Sequence, residues 1–94
     1  MEQQYLDQTR SIIAKYLDPK QHRAYLIGSR AVGTAQQFSD IDIAIDGPRL
    51  KSSVYFEMLH DFEESSIPYL VDIVQLCDVS EDFKQVASVR IPLN

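Results

Sequence analysis

The sequence predicts an α/β domain in which a small β-sheet is covered by helices. Apolar residues recur at helical spacing in two long segments, 3–17 and 49–64. Short apolar runs between them show the alternation or the continuity of strands, which gives the order helix, strand, helix, strand, helix, strand, helix. The chain has 94 residues, the length of one small domain, so we expect a single domain over residues 1–94.

Proline and glycine divide the first half of the chain into elements. Pro19 ends the first helix, because the residue before a proline resists the helical conformation. A short strand is expected over 23–27, and it ends at Gly28. The small residues that follow predict a short helix over 29–36, with Ser29 as its N-cap.

The second half contains two strands of different character. Residues 39–46 alternate between isoleucine and acidic or small side chains, which predicts a strand with one buried face. Residues 69–76 are nearly all apolar, which predicts a central strand. A capping-box pattern over 78–81 predicts the start of a short last helix. The apolar tail 89–94 is expected to be incompletely covered by its own domain.

The composition argues against some classes of function. A net charge of −5 argues against long-range attraction to nucleic acid or to an anionic membrane. A nucleotide can still bind, because metal ions screen its charge. The single cysteine, Cys77, has no partner for an intramolecular disulfide. Neither a signal peptide nor an apolar stretch of about 18 residues occurs, so we expect a cytoplasmic protein that does not span a membrane.

Three acids interrupt the predicted strands. Asp40 and Asp42 lie two residues apart and therefore share one strand face, where two carboxylates repel each other. The arrangement becomes favourable when divalent cations lie between the acids. Asp72 joins them if its strand is a neighbour. Three carboxylates together with water and phosphate oxygens form a site that suits Mg²⁺.

The glycine and serine after the first strand predict an anion site. Gly28 lets the backbone approach a ligand closely, and a helix that starts at Ser29 offers free N–H groups to phosphate. Metal-binding acids beside such a turn are the parts that phosphoryl or nucleotidyl transfer needs, with Asp72 the candidate to bind the nucleophile-side metal or accept the proton. Arg30 and Ser39 are further candidate ligand contacts, with a solvated helix residue and a strand start as the alternatives.

These motifs resemble a known family. The segment GSRAVGTAQQFSDID at 28–42, followed by Asp72 within VDIV, resembles the polymerase-beta-like nucleotidyltransferase superfamily. The short chain resembles the minimal branch of that superfamily, the MNT proteins. The resemblance covers about residues 5–90, and Val32 stands where many relatives have a second arginine.

The resemblance implies a fold, a reaction and a partner. The fold would be a small mixed β-sheet flanked by helices, as one minimal nucleotidyltransferase domain. Asp40, Asp42 and Asp72 would hold two Mg²⁺ ions, and Gly28 and Ser29 would contact the triphosphate of ATP. Many minimal members are antitoxins encoded beside a small helical toxin of the HEPN class, and some transfer AMP to a toxin tyrosine.

Three functions are compatible with the sequence. The first is Mg²⁺-dependent transfer of a nucleoside monophosphate from ATP to a protein. The second is a binding module that neutralises a partner by contact, and the third is a subunit of a small-molecule nucleotidyltransferase. The presence of all three acids favours the first over the second. The lack of an acceptor domain counts against the third and favours a protein partner, while homo-oligomers and hetero-oligomers are both compatible with the sequence.

Overall fold

The computed structural model describes residues 1–36 and 38–94. In these ranges no helix is both long enough and apolar enough to cross a membrane. Cys77 is an exposed free thiol. The elements, in chain order, are α1 Gln3–Tyr16, β1 Arg23–Ile27, α2 Ser29–Val32, β2 Ile41–Asp46, α3 Ser52–Glu64, β3 Val71–Gln75, a 3-10 turn Leu76–Asp78, α4 Glu81–Val86 and β4 Ile91–Pro92.

The strands form one mixed sheet in the order β3-β2-β1-β4. Strand β1 pairs antiparallel with β2 and with β4, and β2 pairs parallel with β3. A parallel pair needs a crossover connection, and α3 supplies it between β2 and β3. The mixed sheet flanked by helices is therefore confirmed.

Apolar clusters cover both faces of this sheet. The larger cluster lies between the sheet and helices α1 and α3; its fully buried side chains include Ile13, Ile41, Ile43, Ile45 and Met58. The smaller cluster lies on the other face, where Ala44 of β2 packs with Ile27, Leu76 and Ala87 and with the half-buried Phe83 of α4. Strand β2 therefore directs its isoleucines to one face and its acidic and small residues to the other.

Strand β3 is an edge strand, so the prediction of a central strand at 69–76 is wrong. Its sequence is apolar on both faces because Ile73 belongs to the larger cluster and Val74 packs against the smaller one. The Ile73 carbonyl lies on the open edge, since alternate residues of the strand face β2. The Tyr55 hydroxyl donates a hydrogen bond to it at 2.9 Å, which shields this part of the edge.

Helix α2 is shorter than the predicted 29–36 and begins differently. Its N-cap is Gly28, and Ser29 is the first helical residue rather than the cap. It ends at Val32, because Gly33 adopts a left-handed conformation with φ 84°.

The C-terminal elements also differ from the predicted details. Helix α4 is capped by Ser80, whose Oγ accepts from the Phe83 N–H at 3.2 Å. The third residue after that cap is Phe83 and not an acid, so the predicted capping box does not form. The expected incomplete cover of the tail is observed, since Val89 and Ile91 are 51% and 37% exposed.

Candidate functional site

The centre of the candidate site is a pair of acids on neighbouring parallel strands. Asp42 of β2 and Asp72 of β3 are register partners. Both lie on the sheet face opposite the buried isoleucines, and neighbouring strands are about 4.8 Å apart. The structure therefore brings these two predicted acids side by side.

Asp40 lies near this pair but outside the strand. It precedes β2 by one residue, and it is exposed. Across residues 1–36 and 38–94, no three His, Cys, Asp or Glu side chains are grouped as a ready-made metal site. The arrangement is thus a carboxylate pair with a third charge close by.

The pair carries an unfavourable concentration of negative charge. The pKa of Asp42 is raised, first because the carboxyl is half-buried and then because Asp72 and Asp40 are like charges. The positive charge of Arg30 acts in the opposite direction on the same carboxyl. A cation bound between these acids would relieve the repulsion, and this is the electrostatic condition expected of a metal site.

Gly28 brings the backbone against the acid pair. Its φ of 73° and ψ of −152° belong to a region that is nearly restricted to glycine. A Cβ atom at this position would lie 2.6 Å from Oδ2 of Asp42. Both the conformation and the contact therefore require glycine here, because the Asp42 carboxylate already occupies the space that a side chain would need.

A cavity of about 230 Å³ opens onto the acid pair. Its two carboxylates, from Asp42 and Asp72, stand among apolar walls from three strands and α4. The lining is Ile27, Gly28, Asp42, Ile43, Asp72, Val74, Phe83 and Ala87. Phe83 is a wall residue that sequence reasoning missed, because its place opposite the acids depends on the packing of α4 against the sheet.

Arg30 and Ser39 contact each other at the start of β2. The Arg30 Nε donates to the carbonyls of Ser39 and Asp40 at 3.1 and 3.2 Å, and Nη2 donates to the Ser39 carbonyl as well. Its guanidinium also lies over the Tyr69 ring, 4.2 Å from the ring centre. The Ser39 hydroxyl accepts from the Gln36 N–H at 2.8 Å. Tyr69 was not singled out from the sequence, which has no local signal for this contact.

The donor set fits a magnesium ion. Mg²⁺ in nucleotide-handling proteins is usually held by one or two carboxylates together with substrate phosphates. Asp42 and Asp72 supply two carboxylates on one face of the sheet. The cavity of about 230 Å³ that opens onto both carboxylates leaves space for a further ligand beside them.

Comparison with known proteins shows sequence similarity to nucleotidyltransferases. The family model described as Polymerase beta, Nucleotidyltransferase matches residues 7–89. The probable protein adenylyltransferase MntA of Haemophilus influenzae is 32% identical over 66 residues, which are 69% of this chain. The match spans 58% of that protein, less than two thirds of its length.

Solved structures agree with the sequence comparison. A chain from the crystal structure of a toxin–antitoxin with AMP-PNP superposes with a TM-score of 0.73 at 27% identity, over 95% of this chain and 72% of that chain. A chain from the re-refined complex of tri-AMPylated Shewanella oneidensis HEPN toxin with MNT antitoxin gives a TM-score of 0.61 at 26% identity, over 95% and 71%. With its glycine turn, its paired acids and a family match over 7–89, this chain belongs to the polymerase beta nucleotidyltransferase family.

Proposed function

We propose that this protein is a Mg²⁺-dependent nucleotidyltransferase that transfers AMP from ATP to a hydroxyl group of a protein acceptor. The observation that carries the proposal is the register pairing of Asp42 with Asp72, with Gly28 packed against the first of them. The similarity to a probable protein adenylyltransferase and to a structure with AMP-PNP supports this choice of reaction.

Each residue has a distinct task in this proposal. Asp42 and Asp72, joined by Asp40, hold the magnesium ions, and two ions bound there would align the attacking oxygen and neutralise the triphosphate. Gly28 and Ser29 form the turn that receives the triphosphate of ATP. The apolar walls of the cavity add no polar groups that would screen the two carboxylates, which strengthens electrostatic interactions on that side of the pair.

At the α-phosphorus, the transfer forms one bond and breaks one bond. The acceptor oxygen bonds to the α-phosphorus of ATP, while the bond from that phosphorus to the oxygen bridging to the β-phosphate breaks. Pyrophosphate leaves with the electron pair. The proton of the acceptor hydroxyl passes to the carboxylate of Asp72, the more exposed member of the pair.

The proposed acceptor is a tyrosine of a small helical HEPN-type toxin, for which this protein is the antitoxin in the cytoplasm. In the Shewanella oneidensis complex, the HEPN toxin bound to the MNT antitoxin is tri-AMPylated, which supports a toxin as the acceptor. The acid pair lies in a small open cavity, which leaves it accessible to a side chain presented by a second protein. The working assembly is therefore a hetero-complex.

Labelled ATP tests this proposal directly. Purified protein, the product of the adjacent gene, Mg²⁺ and ATP labelled at the α-phosphate are combined, and label on the second protein is measured. We expect transfer by the native chain and a loss of about a hundredfold or more with Asp42→Asn, because several kcal/mol of charge stabilisation disappear.

Asp46→Asn is the matched control for that experiment. Asp46 ends the same strand, is exposed and pairs with Arg23 rather than with another acid. It should transfer label at the native rate. Equal transfer by Asp42→Asn, or a tight complex that never becomes labelled, would exclude the enzyme and leave neutralisation by contact.

A further inference from the structure

Arg30 links three segments that converge on the site. It belongs to α2, directly after the glycine turn, and its guanidinium reaches the carbonyls of Ser39 and Asp40 ahead of β2. It also stacks on Tyr69, two residues before β3 begins. One half-buried side chain therefore holds together the chain segments that lead into the turn and into both acid-bearing strands.

The two carbonyl bonds fix the backbone at Asp40. Successive carbonyls of a regular strand point to opposite sides, so one Nε can contact those of Ser39 and Asp40 only if the chain turns there. Strand β2 accordingly begins at Ile41, although the sequence predicted a start at 39. The bend places the Asp40 side chain relative to the pair that follows it.

The aromatic support beneath Arg30 is itself anchored. The Tyr69 ring meets the Tyr5 ring of α1 edge to face, with centres 5.8 Å apart. The next residue, Leu70, accepts from the Ile41 N–H at 2.8 Å, which ties the same segment to β2. A planar guanidinium that stacks and donates in one plane uses properties that lysine lacks.

On the basis of the proposed transferase, we propose that Arg30 is a positioning residue that sets Asp40 beside Asp42 and Asp72 for metal binding. It acts through the backbone of Asp40 and makes no contact with ATP. The sequence had suggested Arg30 as a ligand contact, and the two roles predict different kinetics.

The conservative variant Arg30→Lys separates the two roles. If Arg30 positions Asp40, kcat falls and the Mg²⁺ concentration for half-maximal rate rises by about 10–100-fold, as for other residues that orient metal ligands. The KM for ATP at saturating Mg²⁺ stays unchanged. A raised KM for ATP with an unchanged Mg²⁺ requirement would identify a phosphate contact and overturn the proposal.

Arg90→Lys is the matched control variant. Arg90 also stacks on a tyrosine, with its guanidinium 4.8 Å from the centre of the Tyr25 ring, and it lies outside the cavity lining. This change should alter neither kcat nor the Mg²⁺ requirement. Equal effects of the two lysine variants would mean that any stacked arginine gives the same result, which contradicts a special role for Arg30.

A double-mutant cycle keeps the proposal falsifiable even if Arg30→Lys lowers stability. Thermal shift with AMP-PNP gives the Mg²⁺ concentration for half-maximal stabilisation in the native chain, Arg30→Lys, Asp40→Asn and the double variant. If Arg30 acts through Asp40, the double variant matches Asp40→Asn alone. If the increases in that Mg²⁺ concentration for the two single variants multiply in the double variant, Arg30 acts independently of Asp40 and the proposal is rejected.

The same cycle distinguishes failure of this inference from failure of the proposed function. A native chain that binds AMP-PNP with Mg²⁺ but labels no acceptor would refute the transferase, while the four midpoints would still decide the role of Arg30. A native chain without any Mg²⁺-dependent shift would overturn both.

Discussion

The two faces of strand β2 differ in what they contribute to the molecule. On one face Ile41, Ile43 and Ile45 are at most 1% exposed and pack against helices α1 and α3. On the other face Asp42 is half-buried beside Asp72, and the nearby cavity is closed only in part by the short helix α4. Burial of apolar surface stabilises the first face, whereas like charges destabilise the second.

This difference shows how a small domain can hold a charged site. The free energy that keeps the sheet folded comes mainly from the isoleucine face, so the opposite face can retain a repulsive acid pair that would be unfavourable in a core. Changes on the first face should therefore act on stability. Substitutions on the face that carries the acids should act on ligand binding, and some of them should raise the stability of the fold.

The largest expected effect is on the isoleucine face. Ile43 is fully buried, so Ile43→Ala should lower the free energy of unfolding by about 2–5 kcal/mol. Val74→Ala, on the cavity side, removes methyl groups from a half-buried wall and should cost roughly 1 kcal/mol. Urea unfolding measures both variants. Equal losses would contradict the assignment of stability to one face.

The next effect concerns the glycine against the acid pair. Gly28→Ala should destabilise by at least about 2 kcal/mol from backbone strain alone, and the new Cβ would displace the Asp42 carboxylate. Gly33→Ala is the matched control, since φ is also positive and a Cβ would meet nothing within 4 Å. It should cost about 1 kcal/mol and spare Mg²⁺-dependent AMP-PNP binding. Loss of that binding in both variants would argue against a specific contact at Gly28.

A smaller effect, of opposite sign, is expected at Asp42. Its pKa is raised in the folded state, so the folded protein gains stability below the unfolded pKa and loses it as the pH rises through the interval up to the folded pKa. In buffer with EDTA, Asp42→Asn should therefore have a higher Tm than the native chain at pH 7 and no advantage near pH 3. Asp46→Asn should show no such gain. A lower Tm for Asp42→Asn at pH 7 would refute the repulsion.

The smallest expected effect is at Asp61, a half-buried acid on the helical side. The hydrogen bond from Lys15, at 2.7 Å, and that from Tyr16 lower the pKa of Asp61. The stability that this carboxylate contributes is present above the unfolded pKa and is lost as the pH falls through the folded pKa. Asp61→Asn should slightly lower Tm at pH 7, with the difference closing in acid and in 1 M salt, since about 1 M salt screens surface charges. A difference that persists in acid would point to packing instead.

The parts of the fold that local patterns determine were predicted well. Strand β1 has the predicted bounds, 23–27, because an apolar run ends at a glycine. The alternation in β2 predicted which side chains enter the core and which remain for the site. The resemblance of the motif at 28–42 predicted the family, and the match over residues 7–89 confirms it.

The parts that depend on distant contacts were not predictable. The sequence of β3 is apolar on both faces whether the strand is central or at the edge, so its place in the sheet had no local signal. The start of β2 depends on the Arg30 bonds to two carbonyls, nine and ten residues along the chain. The proximity of Arg30 to Tyr69 results from strand pairing, which no short window of sequence encodes.

The alternation in β2 also restricts how the gene can vary. A slip of one residue in its pairing with β1 would turn Asp42 inward among the hydrocarbon side chains and expose Ile43 where the acid belongs. Insertions or deletions of a single codon inside residues 41–46 would thus lose folding and chemistry together. Length changes are better tolerated in the loop before the strand, because they leave the pairing register of 41–46 and both of its faces in place.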